Sequence, residues 1–97
     1  MTRVIVQSDV GESIQLIRSA VDAEIRRLEL GLKRTRSQLL AFESRYGVSS
    51  QEFRRRFTAE DLVGSDAAYV AWSGELEIEK RLLLEIERLR DIEYVAQ

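Results

Sequence analysis

Residues 14–46 read IQLIRSAVDAEIRRLELGLKRTRSQLLAFESRY. Within them Ile14, Ile17, Val21, Ile25, Leu28, Leu32, Thr35, Leu39, Phe42 and Tyr46 follow one another at spacings of three or four. All but Thr35 are apolar. A spacing that alternates around 3.5 keeps one seam of a helix turned toward another helix. The stripe predicts one helix of about 36 residues, roughly 54 Å long at 1.5 Å per residue. Such a rod is too long for the interior of a 97-residue globule. It has to lie against something, so the expected function is partner binding.

The residues beyond this stretch supply its boundaries. Ser8 and Asp9 are candidate caps, with Glu12 three residues after Asp9 as a capping box requires. Gly47 follows Tyr46 in the place of a C-terminal cap. Ser49 then opens a second helix, with Glu52 closing its capping box. Val48 and Phe53 stand at the spacing of a hydrophobic staple. This short helix is expected to end near Phe57. Thr58 and Asp61 suggest another turn through Leu62, stopped by Gly64. Ser65 or Asp66 caps a third helix, whose apolar face holds Ala68, Ala71, Trp72, Leu76, Ile78, Leu82, Leu83, Ile86 and Leu89. That face is wide enough to touch two neighbours. Gly31, in the middle of the first helix, reads as a close approach, a bend or a tolerated glycine.

The predicted fold class is all-α. It is an antiparallel, coiled-coil-like hairpin of two long helices with a short helical elbow and an extended N-terminal arm. The arm covers residues 1–8. A single hairpin domain covers 9–97, with helices over 9–46 and 66–95 and the elbow over 47–65. Residues 3–7, with β-branched Val4, Ile5 and Val6 at their centre, read as a strand. No other strand is predicted in the chain. The arm therefore pairs with a copy of itself, pairs with another protein, or frays.

Composition narrows the function classes. The chain has no Pro, Cys or His. A disulfide framework, the usual zinc sites and Ser-His or Cys-His catalytic pairs are therefore excluded. Neither an enzyme nor a cofactor is expected. No apolar run approaches a membrane span or a secretory leader, so a cytoplasmic protein is expected. The net charge of −2 gives no general attraction to nucleic acid. Residues 11–46 hold seven basic and five acidic groups, and residues 66–97 hold four and eight. A basic helix followed by an acidic one suits an antiparallel pair, at up to about 1 kcal/mol for each exposed contact.

Several residues stand out as candidate partner contacts. Val4, Ile5 and Val6 form the arm. Leu16, Ala23 and Leu30 recur every seven residues on the far side of helix one, with Ser37 next in register. Arg54 and Arg55 belong to a basic run that reads as a solvated face, as a contact for an acidic protein, or as a phosphate contact. Glu75 and Glu79 share a face near Trp72, Leu76 and Leu83. Two carboxylates there could serve acid–base chemistry or a divalent ion. Neither a third ligand nor a His lies nearby in the sequence, so pairing with an Arg is the expected role. Six of the seven aromatic residues (Phe42, Tyr46, Phe53, Phe57, Tyr69 and Trp72) cluster around the elbow. They are expected to plug the closed end of the hairpin. Tyr69 or Trp72 could also anchor a partner. Two helices alone make a thin core, and chains of this size then rely on staples, metals or association. A homo-oligomer or hetero-complex is expected.

The elbow reads Phe42-Glu43-Ser44-Arg45-Tyr46-Gly47-Val48-Ser49-Ser50-Gln51-Glu52-Phe53, followed after a gap by Trp72 at the start of a charged, Leu-rich helix. With residues 28–90 around it, this pattern resembles the small helical antitoxin-like components of bacterial and archaeal toxin–antitoxin modules. The resemblance implies a non-enzymatic protein that binds and neutralises a cognate toxin, often one acting on RNA. The arm matches no DNA-binding motif. Two further readings stand beside this one: a self-associating structural coiled coil, and a nucleic-acid accessory protein that uses its arginines.

Overall fold

A computed structural model of the chain describes residues 2–7, 11–56 and 66–96. The order of elements is β1 (Thr2–Val6), α1 (Gly11–Tyr46), α2 (Ser50–Arg56), α3 (Asp66–Arg90) and β2 (Ile92–Ala96). The protein is mostly helical, and α1 and α3 pack together. All ten residues of the long stripe are buried or half-buried, while Leu16, Ala23 and Leu30 are exposed. The 3.5-residue spacing thus sorts α1 into a dry side and a wet side.

The chain divides into two compact units, Leu32–Arg81 and Met1–Gly31 with Leu82–Gln97. In Leu32–Arg81, a segment of α1, the short α2 and a segment of α3 make a helix–elbow–helix. Gly47 turns the chain out of α1 at φ +66°, a left-handed conformation that glycine adopts without a Cβ clash. Its N–H donates to the Glu43 carbonyl at 2.8 Å. The Ser49 hydroxyl then caps α2 by accepting from the Glu52 N–H at 3.1 Å. Leu39, Phe53, Trp72 and Leu76 form the core, with Phe42, Tyr46, Val48, Ala68 and Tyr69 packed against it.

The other unit combines 11–31 of α1 and 82–90 of α3 with both strands. Leu28, Ile86 and Val6 are buried here. Gly31 faces Leu82, and the Arg90 guanidinium donates to the Glu29 carboxylate. β1 and β2 pair in parallel, with Thr2 beside Ile92, Val4 beside Tyr94 and Val6 beside Ala96.

This sheet corrects three expectations. The fold is not strictly all-α. The arm has a partner within the chain, β2. The last helix does not reach residue 95 but ends at Arg90, where the Asp91 N–H donates to the Glu87 carbonyl at 3.1 Å. Ile92, Tyr94 and Val95 are β-branched or aromatic, and such residues fit a pleated, half-buried surface. Strand pairing therefore wins over one more helical turn. The caps proposed at Ser8, Asp9 and Ser65, the helix end at Phe57 and the turn from Thr58 to Gly64 lie outside the described residues.

Candidate partner-binding surfaces

The elbow residues are occupied in holding the fold. Trp72 has no exposed surface. Its ring lies 4.1 Å from that of Phe53 at 9°, 5.5 Å from Phe42 at 8°, and 5.9 Å from Tyr46 at 25°. Its indole N–H donates to the Ser50 hydroxyl at 2.9 Å. The Ser50 backbone N–H in turn donates to Glu43 Oε2 at 2.7 Å. Tyr69 is half-buried, its ring tilted against Phe53 at 5.2 Å. Trp72 is therefore the centre of a stack and is not presented as an anchor. This corrects its placement among the contact residues.

The charged candidates face other charges. Arg36 Nε donates to Glu79 Oε2 at 3.3 Å, which gives Glu79 a cross-helix arginine. Glu75 is half-buried on the same helix. Arg54 meets Glu77 at 3.3 Å and Arg55 meets Glu52 at 3.6 Å. On α1, Arg27 grips Glu24 through two hydrogen bonds, at 2.6 and 2.7 Å. That hydrogen bonding holds the Glu24 carboxyl below the usual carboxylate range and raises the Arg27 guanidinium. Among the described residues, no three carboxylates, imidazoles or thiols gather in a way that could hold a metal ion. No helix among them is long and apolar enough to cross a membrane.

The apolar candidates separate by exposure. Val6 is buried and Val4 half-buried, so among the described residues of the arm only Ile5 presents an apolar side chain to solvent, at 49% exposure. Leu16 and Leu30 are 72% and 69% exposed, and Ala23 lies between them. Leu83 and Leu84 of α3 are also exposed, as are Leu40 and Val70 in Leu32–Arg81. Leu40, Val70 and Leu84 fall off the two main stripes, and an isolated exposed aliphatic carries no periodic signal. The strands add contacts that the sequence did not indicate. Arg18 lies over the Tyr94 ring at 5.0 Å, and Arg3 pairs with Glu93 at 3.7 Å.

Set against protein-family models, curated proteins and solved structures, the chain matches none.

Proposed function

We propose that this protein is a partner-binding helical module, cytoplasmic and non-enzymatic, that acts as an antitoxin-like inhibitor of a small cognate protein. The observation that carries the binding role is the Leu16–Ala23–Leu30 seam. Its three residues repeat at heptad spacing, all are exposed, and they lie away from the stripe that α1 buries. A regular apolar seam in water is the usual mark of a surface that another helix or groove covers. Charges around it set orientation and encounter rate more than affinity. Of the arginines in the accessory-protein reading, Arg27, Arg36, Arg54 and Arg55 each face a carboxylate, at Glu24, Glu79, Glu77 and Glu52. That favours a protein partner over a phosphate backbone.

The toxin-directed part of the reading rests on the elbow resemblance. The test is co-expression with the product of the neighbouring gene. A product that arrests growth alone and is tolerated together with this chain supports the proposal. The double variant Leu16→Glu, Leu30→Glu should lose that protection while keeping its helical circular dichroism. A harmless neighbour, or full protection by the double variant, would count against it.

A further inference from the structure

The two long helices end in different ways. α1 stops at Gly47, whose φ of +66° turns the chain away. α3 stops at Arg90 without such a residue. Among the described residues only Gly47 has a left-handed φ, and residues 75–97 contain neither glycine nor proline. Asp91, the first residue past α3, still donates to the carbonyl four residues back. Leu82, Ile86, Leu89, Ile92 and Ala96 follow one another at spacings of three or four. A helix with no stop signal and a continuing stripe should run on. The end of α3 is therefore set from outside its own segment.

Among the described residues, β1 is the strand that pairs with β2, and the register covers all five residues of β2. The strand form also has the longer reach. Arg90 meets Glu29, and Tyr94 lies beneath Arg18. Glu29 and Arg18 are eleven residues apart on α1, about 16 Å at 1.5 Å per residue. The four steps from Arg90 to Tyr94 span about 13 Å as strand, at 3.3 Å each. As helix they would span about 6 Å, too little to bring Tyr94 to Arg18. Against this, a lone pair of strands is marginal in water. Adding a turn to a helix already formed carries no nucleation cost. The two forms of 92–96 thus lie close in free energy, and pairing with β1 selects the strand.

We infer that β1 is a latch: it holds residues 92–96 as a strand, and its withdrawal lets α3 extend through Val95 and draws Tyr94 off Arg18. The segment is a two-state element, and the N-terminal strand sets which state is populated. Through it, the N-terminus of the chain controls what covers α1 at Arg18. The inference stands apart from the inhibitor reading, because the change takes place within the chain and needs no partner.

Nuclear magnetic resonance of the full-length protein tests this through the Cα shifts of Glu93, Tyr94 and Val95, which should be strand-like in the parent. The double variant Val4→Pro, Ile5→Pro removes two consecutive backbone donors from β1. Successive residues of a strand bond to opposite edges, so one of the two prolines removes a bond to β2. The three shifts should move to the helical side of the random-coil values, and the contact between the Tyr94 ring and Arg18 should be lost. Trp72 emission should keep its buried position, which reports that Leu32–Arg81 is intact. Random-coil shifts at 93–95 overturn the inference, as do strand shifts that persist. The variant Ile92→Ala, Val95→Ala approaches from the other side, with β1 unchanged. Alanine favours helix and takes two β-branched residues out of the strand. Glu93 and Tyr94 should become helical, and Thr2–Val6 should lose their strand shifts. Strand or random-coil shifts at Glu93 and Tyr94 in this variant overturn the inference, and it decides the matter if the proline variant unfolds.

Discussion

The two compact units solve the same problem with different materials. Leu32–Arg81 stacks Phe42, Tyr46 and Phe53 on Trp72 and completes the stack with a hydroxyl for the indole N–H. Among its described residues, Met1–Gly31 with Leu82–Gln97 has only aliphatic side chains at its buried positions (Leu28, Ile86 and Val6), and it has a two-stranded sheet. An aromatic stack buries a large area per residue and adds about 0.5–1.5 kcal/mol per ring pair beyond that area. Aliphatic contacts with a thin sheet offer less, and they leave Ile5, Leu16 and Leu30 in water. The aromatic core lies in the first unit, and most of the exposed large aliphatic residues among those described (Ile5, Leu16, Leu30, Leu83 and Leu84) lie in the second.

The strongest way to break that contrast is Trp72→Ala. The side chain is fully buried against three other rings, so its removal leaves a cavity that those rings cannot fill. The expected cost is about 3–5 kcal/mol, a large share of the total for a domain of this size. Urea denaturation measures it, and hydrogen exchange should show protection lost first at amides in 32–56. A loss under about 1 kcal/mol would mean that the stack does not dominate this unit.

A smaller change separates the polar part of the same core from its packing. Ser50→Ala removes the hydroxyl that accepts from the Trp72 indole while leaving the rings in place. A buried donor without an acceptor costs about 1–3 kcal/mol. The unfolding midpoint should fall, and the tryptophan fluorescence should keep its buried position. A shift of that emission toward the red would mean the stack itself had opened, contrary to expectation.

The contrast also explains which parts of the molecule were legible in the sequence. Helical periodicity is local, so Ile14 to Tyr46 announced both α1 and its buried face. Gly47 and Ser49 announced the break between α1 and α2 by turn chemistry alone. The aromatic plug followed from the clustering of Phe42, Tyr46, Phe53, Tyr69 and Trp72 near one turn. The sheet was not legible, because Val4 and Tyr94 meet across almost the whole chain. Nothing local marks that meeting, and Ile92 continues the three-to-four spacing of Ile86 and Leu89 well enough to read as helix. Trp72 was taken for both a plug and an anchor. Sequence could not choose between them, because exposure depends on how many rings close around one side chain. The exposed seam of Leu16, Ala23 and Leu30 was visible from its heptad spacing.

Gly31→Ala sharpens the comparison from the other side, by adding to the unit whose described buried positions are aliphatic. Gly31 lies inside α1 with an ordinary helical φ, so it has no conformational need to be glycine. A Cβ there would stand 3.6 Å from Leu82 Cδ1, in normal van der Waals contact, with no backbone nearby to clash. Alanine would reduce the freedom of the unfolded chain and improve helix propensity, together worth roughly 0.5–1 kcal/mol of added stability. Thermal unfolding should move upward, and amides in 11–31 should exchange more slowly. If instead the variant is destabilised, α1 and α3 approach at Gly31 more closely than the Leu82 contact indicates, and the glycine is there to permit it.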